Sequence, residues 1–250
     1  MDIVLIGSGN VAYHLATALT QAGQEIKQIF GRNNEDLSLI SNKLNIKYST
    51  EELNLADLYI ICVSDSAVAE VSKLINNKDA LVVHTSGSLP KEVLEGNYRK
   101  GSWYPLQTFS KEKALDYSQI PFFIETDDKK DEEILWHLAQ KISDKVQNST
   151  FEKRKYIHLT AVFACNFVNH LFARAKEISD SQDIPFDYFI PLINETMDKI
   201  NYLEPKLAQT GPAVRNDERI LQLHEQLLTD PEKLAIYQTM NQSIKKMYEL

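Results

Sequence analysis

Short apolar runs alternate with helical patterns over the first 150 residues of the chain. The runs are continuous, as in strands of a parallel sheet that is covered on both faces. They predict five strands, Ile3–Ile6, Ile26–Phe30, Leu58–Val63, Leu81–His84 and Phe122–Glu125, with a weaker pair at one edge, Ser102–Tyr104 and Val146–Gln147. The intervening periodicity predicts helices at Val11–Ala22, Glu35–Leu44 and Ser66–Ile75. Strands that alternate with helices predict a doubly wound, mostly parallel α/β sheet.

The pattern changes after Thr150, where helical periodicity replaces the strand-like runs. One helical stretch runs from Phe151 to Ser179 without glycine or proline, and shorter helices follow it. Proline-containing turns separate them, and Asp230 is expected to cap the last helix with Pro231 in its first turn. We therefore predict an α/β domain over residues 1–150 and an all-helical domain over residues 151–250.

A glycine turn joins the first predicted strand to the first helix, and its residues are Gly7, Ser8, Gly9, Asn10, Val11 and Ala12. Gly7 permits the tight turn, Gly9 lets the backbone approach a pyrophosphate, and Ala12 keeps the helix close to the strand. The helix N-terminus adds free N–H groups and a partial positive charge. A plain tight turn is the alternative, but the position between a buried strand and an amphipathic helix favours a Rossmann dinucleotide site over residues 7–11.

The end of the second strand distinguishes between the nicotinamide cofactors. NAD enzymes usually place Asp or Glu there to bind the ribose hydroxyls. This chain instead continues with Gly31, Arg32 and Asn33, and a guanidinium is a forked donor for a 2′-phosphate. A solvated Arg32 is the alternative, and Glu35 and Asp36 are expected to cap the next helix. The sequence therefore favours NADP, with Arg32 and Asn33 among its ligands.

Two further loops follow buried strands. Val63 and Ser64 end one strand, and Ser86 and Gly87 end the next. Ligands of doubly wound sheets bind outside the carboxyl ends of the strands. We therefore expect Val63 and Ser64 beside the ribose and pyrophosphate, and Ser86 and Gly87 beside the nicotinamide, with the Ser86 hydroxyl available to a carboxamide or a substrate oxygen.

Each of these loops also has a structural interpretation. Asp65 is well placed to cap the helix that starts near Ser66, and His84 is well placed to be a satisfied side chain at a strand end. Ser86 and Gly87 can simply form the turn. We favour the structural role for Asp65 and His84, and membership of the site for Ser86 and Gly87.

Composition narrows the class of protein. A formal net charge of −8 argues against nucleic acid as a partner, and no apolar stretch is long enough for a membrane span. The start of the chain lacks the basic region of a signal peptide. Cys62 and Cys165 lie in apolar surroundings and are expected to be reduced core thiols. The cysteine usage favours a cytoplasmic location, and the histidines show no spacing typical of a metal site.

Three segments carry a resemblance to a known family. They are Leu81–Ser88 (LVVHTSGS), Gly101–Ser110 (GSWYPLQTFS) and Tyr156–Asn169 (YIHLTAVFACNFVN). Together they resemble a poorly characterised group of NADP oxidoreductases that pair a Rossmann-like domain with a helical domain of unknown function. The group is more distantly similar to the 6-phosphogluconate dehydrogenase superfamily, which includes ketopantoate reductase, pyrroline-5-carboxylate reductase and 3-hydroxyisobutyrate dehydrogenase. The group often has His-Pro-Leu-Gln where this chain has Tyr104-Pro-Leu-Gln, so we expect Tyr104 to line the substrate pocket and not to donate the proton.

The long helix carries the candidate catalytic residues. At 100° per residue, His158, Asn166 and Asn169 fall on one face of an otherwise apolar helix. In the superfamily that this chain resembles, the corresponding helix supplies a lysine proton donor with an asparagine nearby. No lysine lies deep in this helix, and His158 is the titrating group on that face, with an imidazole suited to acid–base work. The alternative is a core histidine with asparagines satisfied by structural contacts.

Arg215 follows the Thr210-Gly211-Pro212 turn, in a segment that also resembles the family pattern. It is a candidate clamp for a substrate carboxylate or phosphate, and a solvent-facing Arg215 before a helix capped by Asp217 is the alternative. The resemblance further implies a homodimer formed through the helical domain.

These observations predict an NADP(H)-dependent oxidoreductase that moves hydride between nicotinamide and a C=O or C=N carbon of a small molecule. His158 would exchange the proton, while Asn166 and Ser86 orient the substrate, and Tyr104, Asn169 and Arg215 line its pocket. The alternative is an NADP(H)-binding sensor without turnover. A dinucleotide-binding lyase or isomerase is a third hypothesis, because fold alone does not define the reaction.

Overall fold

The computed structural model describes all 250 residues. Contacts between residues divide the chain into two compact units, Met1–Asn166 and Phe167–Leu250. The domain boundary predicted at residue 150 marks the end of the strand pattern, whereas the division by contacts falls within the long helix. The first part of that helix therefore belongs with the sheet.

The first unit is built on an eight-stranded sheet in the order β3-β2-β1-β4-β5-β6-β7-β8. Its strands are β1 Ile3–Ile6, β2 Ile26–Phe30, β3 Tyr48–Ser49, β4 Leu58–Ile61, β5 Leu81–His84, β6 Arg99–Pro105, β7 Phe122–Thr126 and β8 Val146–Asn148. All neighbours are parallel except β6 and β7, which are antiparallel. The predicted doubly wound, mostly parallel sheet is confirmed. The strand predicted at 102–104 exists, but it lies inside the sheet and not at its edge.

Five helices belong to the first unit: α1 Asn10–Gln21, α2 Asn34–Leu44, α3 Val68–Ser72, α4 Lys129–Gln140 and α5 Phe151–Ala161. The helix predicted at Ser66–Ile75 is shorter than expected, because a 3₁₀ turn occupies residues 65–67 before α3 begins. Asp65 lies within that turn and caps nothing, so its predicted capping role is wrong. Asn33 caps α2, with its side chain accepting the N–H groups of both acidic residues that we expected to cap it.

The core of this unit lies on both faces of the sheet. Ile3 and Leu5 of β1 pack with α1, α2 and α4 on one face, while Val4 and Ile6 pack with the α3 region on the other. This division explains why the strands are continuous apolar runs. Cys62 is buried, as predicted.

The second unit is entirely helical and follows a widened turn in the long helix. The chain runs through a π-helical turn, Val162–Phe167, into α6. Its helices are α6 Val168–Asp180, α7 Ile190–Lys199, α8 Pro205–Ala208, α9 Glu218–Leu227 and α10 Pro231–Met247. Asp217 caps α9, and Asp230 caps α10 with Pro231 in its first turn, as predicted. No helix of the chain is both long enough and apolar enough to cross a membrane.

Only three residues of the second unit, Ser179, Ala213 and Leu221, are buried. Large apolar side chains are exposed instead, among them Tyr188, Leu192, Tyr202, Leu207 and Leu227. Burial of apolar surface is the main stabilising contribution to a folded unit, and this unit buries little of its own.

Candidate active site

The glycine turn is shaped to admit a dinucleotide. Gly7 has a φ of +131°, and a Cβ atom there would lie 2.5 Å from the Cys62 carbonyl oxygen, so no other residue fits. A Cβ on Gly9 would have no neighbour within 4 Å, which shows that the space above the turn is open. The Gly7 amide donates a 2.8 Å hydrogen bond to the Phe30 carbonyl and thereby joins the turn to the end of β2.

The N-terminus of α1 is free to receive a phosphate. Gly9 occupies its capping position and offers no side chain, and no acidic residue lies in its first turn. By contrast, side chains cap α2, α4, α5, α9 and α10. Uncapped N–H groups and the helix dipole attract anions. The residues of the turn therefore fit the pyrophosphate of a dinucleotide.

Arg32 and Asn33 lie directly after β2, as the prediction requires. Arg32 is exposed and forms no ion pair with any acidic residue, which leaves its guanidinium available. Asn33 is exposed but engaged: its oxygen caps α2, and its amide donates a 2.8 Å hydrogen bond to Asp36. If Asn33 binds the cofactor as predicted, its side chain must do so while it also caps α2.

The loop after β5 is mostly held by its own hydrogen bonds. The Ser86 N–H donates to Nδ1 of His84 at 3.1 Å, and the Ser86 hydroxyl accepts the Ser88 N–H at 3.0 Å. His84 is completely buried, but its Nε2 has no hydrogen-bond partner, so the expectation of a fully satisfied histidine is half wrong. Burial, together with the nearby Arg154 charge, lowers the pKa of His84 to about 4, so this histidine is neutral.

Two side chains meet over Gly87. The Tyr104 hydroxyl, at the end of β6, lies 3.1 Å from Nδ1 of His158 on α5. Both groups press on Gly87, where a Cβ atom would come within 2.7 Å of Tyr104 Cζ and 2.8 Å of His158 Cβ. Glycine is therefore required at this position for close approach. Tyr104 is the penultimate residue of β6 and lies past the end of β5, whose last residue pairs with Ser102. The pair is therefore at the carboxyl end of these strands, where ligands of such sheets bind.

Burial raises the pKa of Tyr104 to about 12; the nearby carboxylate of Asp65 adds to this rise and the Arg154 guanidinium opposes it. Tyr104 therefore keeps its proton at neutral pH. A neutral phenol both donates and accepts hydrogen bonds. It can pair with Nδ1 of His158 in either protonation state of the imidazole.

A buried layer of polar groups lies beneath this pair. His84, Ser102 and Glu125 stand in one row across β5, β6 and β7. Arg154 of α5 is completely buried; it forms an ion pair with Glu125 and donates a 2.6 Å hydrogen bond to the Leu89 carbonyl. Arg154 is not predicted from the sequence as a site residue, because it lies in a short basic run typical of a solvated helix start. The available signal was the position of Arg154 one turn before a candidate histidine on the same helix face.

The other predicted site residues are located as follows. Val63 is half-buried and Ser64 exposed after β4. Asn166 is exposed in the π-helical turn, while Asn169 and Arg215 are exposed in the second unit. The prediction that Asn166 and Asn169 share a helix face with His158 assumes a regular α-helix. The π turn Val162–Phe167 starts after His158 and includes Asn166, so the regular 100° spacing does not hold.

Cys165 is exposed, which corrects the prediction of a core thiol. Its apolar sequence neighbours occupy a helix face that is itself exposed, so they do not bury it. No group of three or more His, Cys, Asp or Glu side chains is arranged to hold a metal ion.

The fold, the open glycine turn and the position of the Tyr104–His158 pair together define a member of the NAD(P)-dependent dehydrogenase fold class. Residues 2–87 match the family model described as NADP oxidoreductase, coenzyme F420-dependent. Residues 120–244 match a domain of unknown function, DUF2520. The chain belongs to the DUF2520 family, with an NADP-oxidoreductase domain at its N-terminal end.

Solved structures agree with this assignment. A candidate NADP oxidoreductase from Bacteroides fragilis is 42% identical over 100% of this chain and 98% of its own, with a TM-score of 0.94. A Thermotoga maritima protein is 25% identical over 99% of this chain and 100% of its own, with a TM-score of 0.82. A pyrroline-5-carboxylate reductase from Coxiella burnetii is 15% identical over 98% and 92%, with a TM-score of 0.57, and shares the fold. A comparison with curated proteins finds no match.

Proposed function

We propose that the protein is an NADP(H)-dependent oxidoreductase acting on a C=O or C=N group of a small molecule, with His158 as the acid–base residue. The observation that carries this proposal is the 3.1 Å pairing of the Tyr104 hydroxyl with Nδ1 of His158 beside Gly87. It puts an imidazole at the carboxyl ends of the strands, next to the loop predicted to meet the nicotinamide.

The glycine turn of residues 7–11 would hold the pyrophosphate, with Val63 and Ser64 nearby and Ser86 and Gly87 toward the nicotinamide. The choice of NADP over NAD rests on the residues after β2. No acidic residue occupies the position that would bind the ribose hydroxyls, and Arg32 is exposed without an ion-pair partner. A guanidinium favours a 2′-phosphate. When bound, the nicotinamide supplies or accepts the hydride.

Tyr104 and His158 divide the proton handling between them. Tyr104, with its pKa of about 12, does not lose its proton near neutrality, so we assign the proton exchange to the imidazole of His158. The hydrogen bond at Nδ1 orients the ring and leaves Nε2 for the substrate. In reduction, His158 would donate the Nε2 proton to the substrate oxygen or nitrogen while Tyr104 accepts a hydrogen bond from Nδ1; in oxidation it would take the proton back.

The remaining candidate residues would bind substrate. The Ser86 hydroxyl already accepts one hydrogen bond, from Ser88, and keeps its own proton to donate. Asn166, Asn169 and Arg215 are exposed polar groups and stay candidates for orienting a polar substrate.

We also propose that the protein is a homodimer formed through the second unit. This unit spans residues 167–250 yet buries only three of them, and its exposed apolar side chains include Tyr202 at 79% and Leu207 at 74%. Large apolar side chains that are exposed together in one unit are typical of an interaction surface. A second copy of the same chain is a partner that is always present, and closed two-fold dimers are the commonest oligomers.

The test begins with fluorescence titration of NADPH and NADH, followed by a screen of oxo acids, imines and aldehydes for NADPH oxidation. We expect NADPH to bind more tightly and at least one class to be reduced. His158→Ala should lower kcat by 10²–10⁴-fold with unchanged NADPH affinity, and Tyr104→Phe should lower it by about tenfold. His137→Ala, at an exposed position on α4, is the control.

Three results would contradict the proposal. Equal or tighter NADH binding would remove the argument from Arg32. Full turnover in His158→Ala would remove His158 from the mechanism. NADPH binding without oxidation of any tested class would favour the sensor.

A further inference from the structure

The segment between β6 and β7, residues 106–121, lies against the N-terminal part of α1. The Asn10 amide donates a 2.9 Å hydrogen bond to the Phe109 carbonyl. His14 is buried; its Nε2 donates to the Ser110 carbonyl at 2.8 Å, and its Nδ1 lies 2.9 Å from the Tyr117 hydroxyl. The Phe109 ring packs on the His14 ring with centroids 5.1 Å apart. The backbone leading into Lys111 is therefore held beside the glycine turn.

From this position Lys111 reaches α2. Its ammonium forms an ion pair with Asp36, in the first turn of that helix; 19% of the lysine side chain and 38% of the aspartate side chain are exposed, so the pair is partly shielded from solvent. The other carboxylate oxygen of Asp36 accepts a 2.8 Å hydrogen bond from Asn33. Asp36 is thus neutralised from one side by Lys111 and held from the other by the residue that follows Arg32.

The location of Asp36 makes its charge relevant to binding of the 2′-phosphate. It lies four residues after Arg32, in the segment where the 2′-position of the adenosine ribose is expected. An unpaired carboxylate there would repel a 2′-phosphate and compete with it for the Arg32 guanidinium. Acidic residues near the end of β2 are how NAD enzymes select against the phosphate. This chain has no acidic residue directly after β2, but Asp36 lies close by in the first turn of α2, and its charge is paired with a cation from a distant segment.

We propose that Lys111 is a specificity-determining residue for the phosphorylated cofactor, acting through its ion pair with Asp36. The proposal rests on the proposed function, because it requires that a dinucleotide binds at the glycine turn. Lys111 is a positioning residue in this scheme. It removes a repulsive charge and leaves Arg32 free for the phosphate.

Four variants test the pairing by their affinities for NADPH and NADH, measured by fluorescence titration. Lys111→Ala should weaken NADPH binding about fivefold and change NADH binding less than twofold. Asp36→Asn should bind NADPH at least as tightly as the wild type. The double variant should regain wild-type NADPH affinity, because the charge that Lys111 cancels is gone. Lys113→Ala is the matched control, since Lys113 is exposed in the same segment and forms no ion pair.

Each remaining outcome overturns the inference. Unchanged NADPH affinity in Lys111→Ala would show that the pair has no role, and equal loss of both cofactors would show that the segment merely supports the fold. If the double variant binds NADPH as weakly as Lys111→Ala, Lys111 does not act through Asp36. If the wild type prefers NADPH but the variants do not show the expected affinities, the role of Lys111 is disproved and the proposed function is unaffected. If the wild type binds neither cofactor, the proposed function fails with it.

Discussion

Arg154 of α5 and Glu125 of β7 form an ion pair in which the arginine is completely buried and the carboxylate is 17% exposed. The pair fastens the first turn of α5 to the sheet, and the second oxygen of Glu125 accepts the Phe151 N–H at 3.1 Å. His158 lies one helical turn beyond Arg154. The position of the candidate acid–base residue therefore depends on a buried charge whose own partners are Glu125 and the Leu89 carbonyl.

Removing one partner of this pair should destabilise the first unit strongly. Arg154→Met leaves the Glu125 carboxylate without its counter-charge, and we expect the free energy of unfolding to fall by about 3–5 kcal/mol. Urea denaturation followed by circular dichroism measures the change. Lys155→Ala, which removes only a partly exposed ion pair with Glu152, should cost less than about 1 kcal/mol.

The double variant Arg154→Met/Glu125→Gln distinguishes the energy of the ion pair from the separate contributions of its two residues. The glutamine keeps an acceptor for the Phe151 N–H and removes the buried charge. We expect the double variant to be more stable than Arg154→Met alone, because no uncompensated ion remains. Strictly additive losses would show that the two residues stabilise the fold independently.

His84 should make the stability of the first unit depend on pH. Burial and the nearby Arg154 charge lower its pKa from 6.5 to about 4 in the folded protein. As the pH falls below about 6.5, the unfolded chain takes up a proton that the folded protein accepts only near pH 4. The folded state should therefore lose on the order of 3 kcal/mol between these two pH values, and the contribution is fully present above pH 6.5.

Urea denaturation at pH 7 and pH 5 measures this effect. His84→Asn offers an amide oxygen in place of Nδ1 to accept the Ser86 N–H, and it cannot be protonated. The wild type should lose more stability than His84→Asn over this interval. A loss of equal size in both proteins would assign the pH dependence to other groups.

Gly87 should be intolerant of any side chain because of its two neighbours. In Gly87→Ala the methyl group would overlap Tyr104 and His158, and the 3.1 Å hydrogen bond between them would have to break or lengthen. We expect kcat to fall at least tenfold, since a misplacement of about 1 Å costs about 10²-fold in well-positioned sites. Steady-state kinetics with the substrate found by screening measures the loss.

NADPH affinity serves as the internal control for Gly87→Ala, and it should change by less than threefold if the substitution disturbs only the pair. Ser88→Ala, at the exposed position beside it, should leave both quantities unchanged. Wild-type turnover in Gly87→Ala would show that the Tyr104–His158 contact is dispensable.

The second unit should be found paired in solution. Light scattering coupled to size exclusion should give twice the 28.6 kDa of one chain. Leu207→Glu places a charge on an exposed apolar residue of the second unit, whereas Leu55→Glu does so on the first. We expect Leu207→Glu to weaken self-association and Leu55→Glu to leave it unchanged. A monomeric wild type at micromolar concentration would contradict the homodimer.

The sheet was predictable because its signals are local. Runs such as Ile3–Ile6 and Leu81–His84 are continuous and apolar, and the glycine turn directly follows the first of them. The two-residue strand β3 was missed, since Tyr48 and Ser49 are too few to form a pattern. The π turn was also missed, because nothing in Val162–Phe167 departs from helical periodicity.

Individual residues of the candidate site could be predicted from the strand ends and from the polar positions of the long helix, but their contacts could not. His158 and Tyr104 were singled out separately, but their contact joins residues 54 positions apart in the chain. The buried Arg154 and the reach of Lys111 to Asp36 likewise depend on which segments the fold brings together. Basic side chains in loops and at helix starts are usually solvated, so apart from the one-turn spacing of Arg154 and His158 the local sequence contained no sign of these roles.

The reversal of β7 determines how the site is assembled. Because β7 is antiparallel to β6 and β8 is parallel to β7, the chain leaves β8 at the edge of the sheet opposite the glycine turn. Helix α5 therefore runs back toward the end of the sheet that carries the glycine turn. Along it, Arg154 first contacts Glu125, and His158, one turn later, contacts Tyr104. The number of residues between Arg154 and His158 therefore determines where the imidazole lies. Deleting one residue between Arg154 and His158 would turn the imidazole by about 100° and withdraw it by about 1.5 Å, so this stretch of the chain should tolerate substitutions far better than changes in length.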